Sequence, residues 1–196
     1  MERLFDSLIT RQISMGTIKE EERELYRYGY VILCEWGFNL GIAVIIGALT
    51  ASMKTTMIFL LSVMPLRSFA GGYHAKSPVK CAIISNVALL LVIGLSKWLS
   101  ILPISQGAVL IPEIILFGYI SGHVPVDSPG KPLSDRDKHI YGICARVCYL
   151  VELVIAAGLL LTGNQRQGIV IVLVHILVTL SLWAGNVRKN RLKQWN

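Results

Sequence analysis

Gly168-Ile-Val-Ile-Val-Leu-Val-His-Ile-Leu-Val-Thr-Leu-Ser-Leu-Trp-Ala-Gly185 is an eighteen-residue run without one Asp, Glu, Lys or Arg. A helix needs about 20 apolar residues to cross the hydrocarbon core of a bilayer, so this block reads as a membrane span. Five more blocks precede it: Tyr30–Thr50, Met57–Ala70, Val79–Leu102, Gly107–Gly122 and Ile140–Leu161. The second and fourth are short, and such spans tilt, meet thinner lipid or re-enter the face they came from. Composition agrees. Of 196 residues 54% are hydrophobic and 16% charged, against about 25% charged in ordinary soluble domains, and the mean hydropathy is +0.59. The expected fold is an all-α, multi-pass membrane protein of about six spans in one integral domain. Residues 1–28 form its amphipathic and juxtamembrane part, 30–186 the bundle and 187–196 a basic tail.

Charge sets the expected orientation. Lys and Arg number 16 at the N-terminus, around residues 67–80, around 131–146 and at the C-terminus, against three (Lys54, Lys97 and Arg166) in the alternate connections. The positive-inside rule then puts both termini and the loops near 67–80 and 123–139 in the cytoplasm. The formal charge of +7 is mostly topology. Nucleic acid is not an expected partner, because no aromatic-studded basic surface accompanies the charge. Met1–Arg27 has no apolar core of a cleavable secretory signal. Instead Leu4, Phe5, Leu8, Ile9 and Ile13 recur at helical spacing opposite Glu2, Arg3, Asp6 and Arg11, the pattern of a helix lying in the membrane interface. Thr17 and Glu20 have the spacing of a capping box, from which a second helix would run into the first span.

Most polar residues inside the blocks read as packing. Glu35 and Glu113 stand out, since charge at membrane depth is costly and faces protein or a wet cavity. Glu35 is a candidate for a substrate path, with helix packing as the plainer reading. Glu113, beside Pro112, is expected near the outer edge of a broken span. His175 is expected to be a packed, hydrogen-bonded residue rather than a ligand. Cys144 and Cys148 share a helical face as small hydrophobes. Zinc is not expected, since a closed site wants four ligands and neither HExxH nor paired CxxC occurs, and no other cofactor is implied.

Chemistry concentrates in Arg67-Ser-Phe-Ala-Gly-Gly-Tyr-His-Ala-Lys-Ser-Pro-Val-Lys-Cys81. Gly71-Gly72 ends a helix and lets the backbone approach another chain closely. Ser77 suits the N-cap and Pro78 the first position of the next helix. Cys81 then sits one turn into that helix, where the dipole and Arg67, Lys76 and Lys80 favour a thiolate nucleophile. His74, across the reversal, can serve as general base and then acid.

The run Arg67…Gly71-Gly72-Tyr73-His74-Ala75…Cys81 resembles the signature of the accessory gene regulator B (AgrB) family. Val124-Pro-Val-Asp-Ser-Pro-Gly-Lys-Pro-Leu133 resembles that family's loop after the fourth span, and the likeness covers essentially the whole chain. The resemblance implies a membrane-embedded cysteine endopeptidase of a Gram-positive quorum-sensing system. Its substrate would be an AgrD-like pro-peptide, with an amphipathic membrane-bound N-terminal part and an acidic tail. Cys81 would be the nucleophile, His74 its base, and Arg67 and Gly72 site support. Release of the tail would leave an acyl-enzyme that a Cys or Ser of the peptide resolves into a thiolactone or lactone ring. Lys131, with Arg136 and Lys138, could attract the acidic tail, and a homodimer is implied. The rival reading is a small membrane transporter or peptide-export scaffold without proteolytic chemistry, in which Glu35 and Glu113 mark an ion path.

Overall fold

The computed structural model describes residues 2–72, 78–126 and 134–193, and among these the regular structure is entirely helical. The helices are α1 (Glu2–Ser14), α2 (Arg23–Leu49), α3 (Met53–Ala70), α4 (Pro78–Leu99), α5 (Gln106–His123), α6 (Asp135–Leu161) and α7 (Gln165–Lys193). A 3-10 turn, Glu20–Glu22, precedes α2. Helices α2, α4, α6 and α7 are long and apolar enough to cross a membrane. Helices α3 and α5 are the two blocks marked short by the sequence. Each has 18 residues, hence a length of about 27 Å, just under a hydrocarbon core of about 30 Å.

The chain divides into two compact units, residues 1–45 and 46–196. In the first, α1 buries Ile9 completely and leaves Leu8 half exposed. Arg27 faces Asp6 at 3.7 Å, and the Tyr30 hydroxyl meets Gln12 Oε1 at 2.9 Å. The start of the second helix corrects the expectation. Thr17 and Glu20 form no box; the Lys19 N–H donates to Glu22 Oε2 at 3.2 Å. Glu20 is held instead by the Arg23 guanidinium, with Nε at 2.6 Å. Three consecutive glutamates offer competing carboxylates, and the nearby arginine takes the one that the spacing assigned to the cap.

In the second unit α7 is the hub, in contact with α3, α4, α5 and α6. Half of its apolar window is buried, against 28% or less in the other three long helices. A helix apolar on all sides has no face to give to solvent and takes the centre. Its buried residues, Ile169, Val170, Ile171, Val172, Val174, Val178 and Leu182, follow each other too closely for a single stripe. Side-chain bonds tie one end of the bundle: Gln106 Nε2 donates to the Leu160 carbonyl at 2.8 Å and an Arg166 amine to Ser52 Oγ at 3.1 Å. The other end carries the residues singled out for chemistry.

Candidate functional site

Helix α3 ends at Ala70 because Gly71 turns the chain. Gly71 has φ +73° and ψ −145°, a combination essentially closed to other residues, and its N–H caps the helix on the Arg67 carbonyl at 3.0 Å. The turn meets the segment that follows α5. Val126 N–H donates to the Ala70 carbonyl at 3.0 Å, and Gly71 and Val126 form an isolated parallel bridge. Gly72, buried with φ +127°, lies against α7, so that a Cβ there would come within 2.8 Å of Ser181 Oγ. Both glycines are therefore required by close approach as well as by torsion. The two stretches of sequence that carry the family resemblance, 67–81 and 124–133, touch each other through their described parts.

Across the short interval 73–77, helix α4 begins at Pro78, where its fixed φ suits a first helical position and its missing N–H leaves no donor unsatisfied. Cys81 is the fourth residue of α4 and half-buried, with a free thiol. Its position is that expected: within the first turn, where unsatisfied N–H groups and the helix dipole stabilise an anion. His74, Ser77 and Lys131 lie outside the described residues.

The remaining candidates fall as follows. Arg67 is half-buried in the last turn of α3, and its carbonyl receives the Gly71 N–H that caps the helix. Arg136 and Lys138 occupy the first turn of α6 behind the Ser134 cap, and Lys138 pairs with Asp135 at 3.3 Å, so part of the basic charge near the loop is already met by acid. Glu35 is half-buried on α2, within the first unit. All four cysteines are free: Cys34 exposed, Cys144 and Cys148 half-buried. No set of three or more His, Cys, Asp or Glu among the described residues has a metal-holding arrangement.

Glu113 departs from its expected place. Helix α5 continues through Pro112, and Glu113 is only 2% exposed, inside the bundle rather than at an outer edge. The cause is tertiary: the Tyr149 hydroxyl donates to its carboxylate, and His175 Nδ1 meets the same oxygen at 2.8 Å. His175 is packed and hydrogen-bonded, as expected. Glu152 and Tyr149 of α6, which complete this cluster, escaped the sequence reading. Their signal was available, a carboxylate and a phenol three apart within an apolar block.

Gly71→Ala tests the strapped turn. The forbidden torsion costs about 1–3 kcal/mol, and the new methyl group would run into the Val126 carbonyl. Helical content by circular dichroism should be kept, while the alkylation rate of Cys81 changes by about tenfold or more. An alkylation rate equal to the parent's would mean that the bridge to Val126 does not position the segment.

Comparison with curated proteins finds no match, and comparison with solved structures finds none either. Among protein-family models, that described as accessory gene regulator B matches residues 2–184. The matched range takes in all but the last turns of α7, the Ala70–Gly72 turn, the 124–126 strap and Cys81, and on that evidence the chain belongs to the AgrB family.

Proposed function

We propose that this protein is a membrane cysteine endopeptidase that cleaves an AgrD-like pro-peptide through a Cys81 acyl-enzyme and supports closure of the peptide into a thiolactone or lactone. Membership of the AgrB family, a peptidase family, implies a role in autoinducing-peptide processing. The observation that carries the finer reading is the Cys81 thiol in the first turn of α4, a few residues beyond a glycine turn held by a second loop.

The chemistry follows in balanced steps. The Cys81 thiolate attacks the scissile carbonyl, and the peptide C–N bond breaks as His74 gives a proton to the departing amine. The acidic tail leaves, and the membrane-bound part stays as a thioester on Cys81. A peptide Cys or Ser then attacks that thioester, loses its proton to His74, and frees the Cys81 thiol as the ring closes. Exchange of one thioester for another is nearly balanced in energy, so keeping water from the acyl-enzyme decides between cyclisation and hydrolysis. Arg67, Gly71 and Gly72 position the segment, and Lys131 with Arg136 receives the acidic tail. Purified protein in nanodiscs, given an AgrD-like peptide, should release the tail and yield a cyclic product by mass spectrometry. Binding without cleavage would favour the export scaffold.

Topology follows from the 16-to-3 charge division. Both termini and residues 70–81 are placed in the cytoplasm of a Gram-positive cell. An impermeant thiol reagent applied to intact cells should label a cysteine introduced at Lys97 and spare one at Lys76; labelling at Lys76 would invert the map.

Helix α1 serves the same reaction by holding enzyme and substrate at one surface. Two partners confined to an interface gain effective concentration without a tight contact. Deleting residues 1–14 should therefore reduce processing of the membrane-bound pro-peptide more than alkylation of Cys81. Equal loss of both would make the segment purely structural. The enzyme is placed in a homodimer; full activity of a single copy per nanodisc would refute that.

A further inference from the structure

The bundle contains a polar cluster that the cysteine chemistry leaves unused. Glu113 of α5, Tyr149 and Glu152 of α6 and His175 of α7 are 2%, 0%, 7% and 0% exposed. The imidazole uses both nitrogens, Nδ1 at 2.8 Å from Glu113 Oε2 and Nε2 at 3.1 Å from Glu152 Oε2. Tyr149 donates to that Glu113 oxygen, and its ring stacks on the imidazole with centroids 4.0 Å apart.

Counting protons shows what the cluster needs. Each nitrogen–oxygen contact requires a proton between its atoms, because two lone pairs repel, and a neutral imidazole supplies one. The cluster therefore holds at least one proton more than a neutral histidine beside two carboxylates. With that proton alone it carries one net negative charge amid apolar helices, an arrangement of high cost. Glu113 Oε1 is buried and has no hydrogen-bond partner. A second proton on this oxygen neutralises the cluster and leaves every other contact in place.

Among the described residues, the buried faces that α3 and α4 turn to the bundle offer no compensation. The buried face of α3 is Thr55, Thr56, Phe59, Ser62, Leu66 and Ala70; that of α4 is Leu89, Val92, Ile93 and Ser96. Neither contains an ionisable side chain. On α6, Cys148 lies one turn before Glu152 and can add negative charge but not positive, while Arg146 donates to the Ser121 carbonyl at 3.0 Å. Both ring nitrogens and one oxygen of each carboxylate are spent on one another, and among the described residues there is no metal-holding set.

We propose that Glu113, Glu152 and His175 form an exchangeable proton-binding site, and that its second proton sets the packing of α7 beneath Gly72. Glu152, the member with some exposure, is the route by which the proton enters. Ser181, against which Gly72 lies, is six residues beyond His175 on the same helix, about 9 Å along its axis. Loss of the proton places net charge where α5, α6 and α7 meet and loosens the helix that supports the Gly71–Gly72 turn. The proton site stands independently of the peptidase reading; its effect on Cys81 rests on that reading.

Infrared difference spectroscopy on the full chain in nanodiscs tests the site directly. Across a pH titration the wild type should lose a carboxylic acid band that shifts in deuterium oxide. Glu113→Gln should lack that band, and Glu152→Gln, the less buried change, should move its midpoint. Absence of a titrating buried carboxyl in the wild type overturns the site with no variant needed. The pH profile of pro-peptide cleavage tests the coupling. The wild type should fall about tenfold further than Glu113→Gln over the range in which the band disappears, since glutamine mimics the protonated acid. Parallel profiles, with the band removed, overturn the coupling. A wild type that shows the band but cleaves nothing overturns the peptidase reading and leaves the proton site standing.

Discussion

Cys81→Ala and His74→Ala should each eliminate release of the pro-peptide tail, lowering the rate by about four orders of magnitude or more, while the protein stays folded in the membrane. The size follows from how nucleophile and base act: each is needed for the same transition state, so losing one forfeits most of the chemical acceleration. The fold is spared because Cys81 is half-buried in the first turn of α4, where alanine is a better helix former than cysteine. Cys34→Ala, Cys144→Ala and Cys148→Ala should keep activity, as none lies in the 67–81 segment. Tail release by Cys81→Ala in a reconstituted assay would end the acyl-enzyme reading. Loss of activity in all four cysteine variants would point to a structural role for the thiols.

The largest effect on stability is expected from His175→Leu. The change removes the group that stands between Glu113 and Glu152 and leaves two carboxylates facing each other across a dry interior. Breaking a buried charge pair from one side costs about 3–5 kcal/mol. The loss falls on the contact of α5, α6 and α7, the centre of the second unit. The triple change Glu113→Leu, Glu152→Leu and His175→Leu removes all the charge together and should recover much of the stability, as apolar replacements of whole buried ion clusters do. Resistance to thermal unfolding in detergent measures both. If the single variant unfolds at the wild-type temperature, the cluster carries no structural weight.

The cluster also bears on the rival reading of Glu113 as part of an ion path. Glu113 is 2% exposed and its carboxylate is engaged by Tyr149 and His175, which makes it part of a packed cluster.

Much of the architecture was present in the sequence. Apolar blocks long enough for a bilayer, Pro78 at a helix start, Gly71-Gly72 at a helix end and Cys81 one turn beyond Pro78 all act through a residue's own torsions and its neighbours within a turn. Such signals are local and survive without knowledge of the fold. Even there, the competition among Glu20, Glu21 and Glu22 moved the cap from Thr17 to Lys19, because one arginine at the right spacing outbids a backbone N–H.

What tertiary structure alone decided is which distant residues meet. The Ala70 carbonyl finds the Val126 N–H across 56 positions of chain, and Gly72 finds Ser181. His175 looked solitary in an apolar block because its partners lie on two other helices. Hydropathy places a helix in the membrane but leaves its rotation about its own axis nearly free. Only the packing of α5, α6 and α7 turned Glu113, Glu152 and His175 toward one another, since burial of any one of them required the other two.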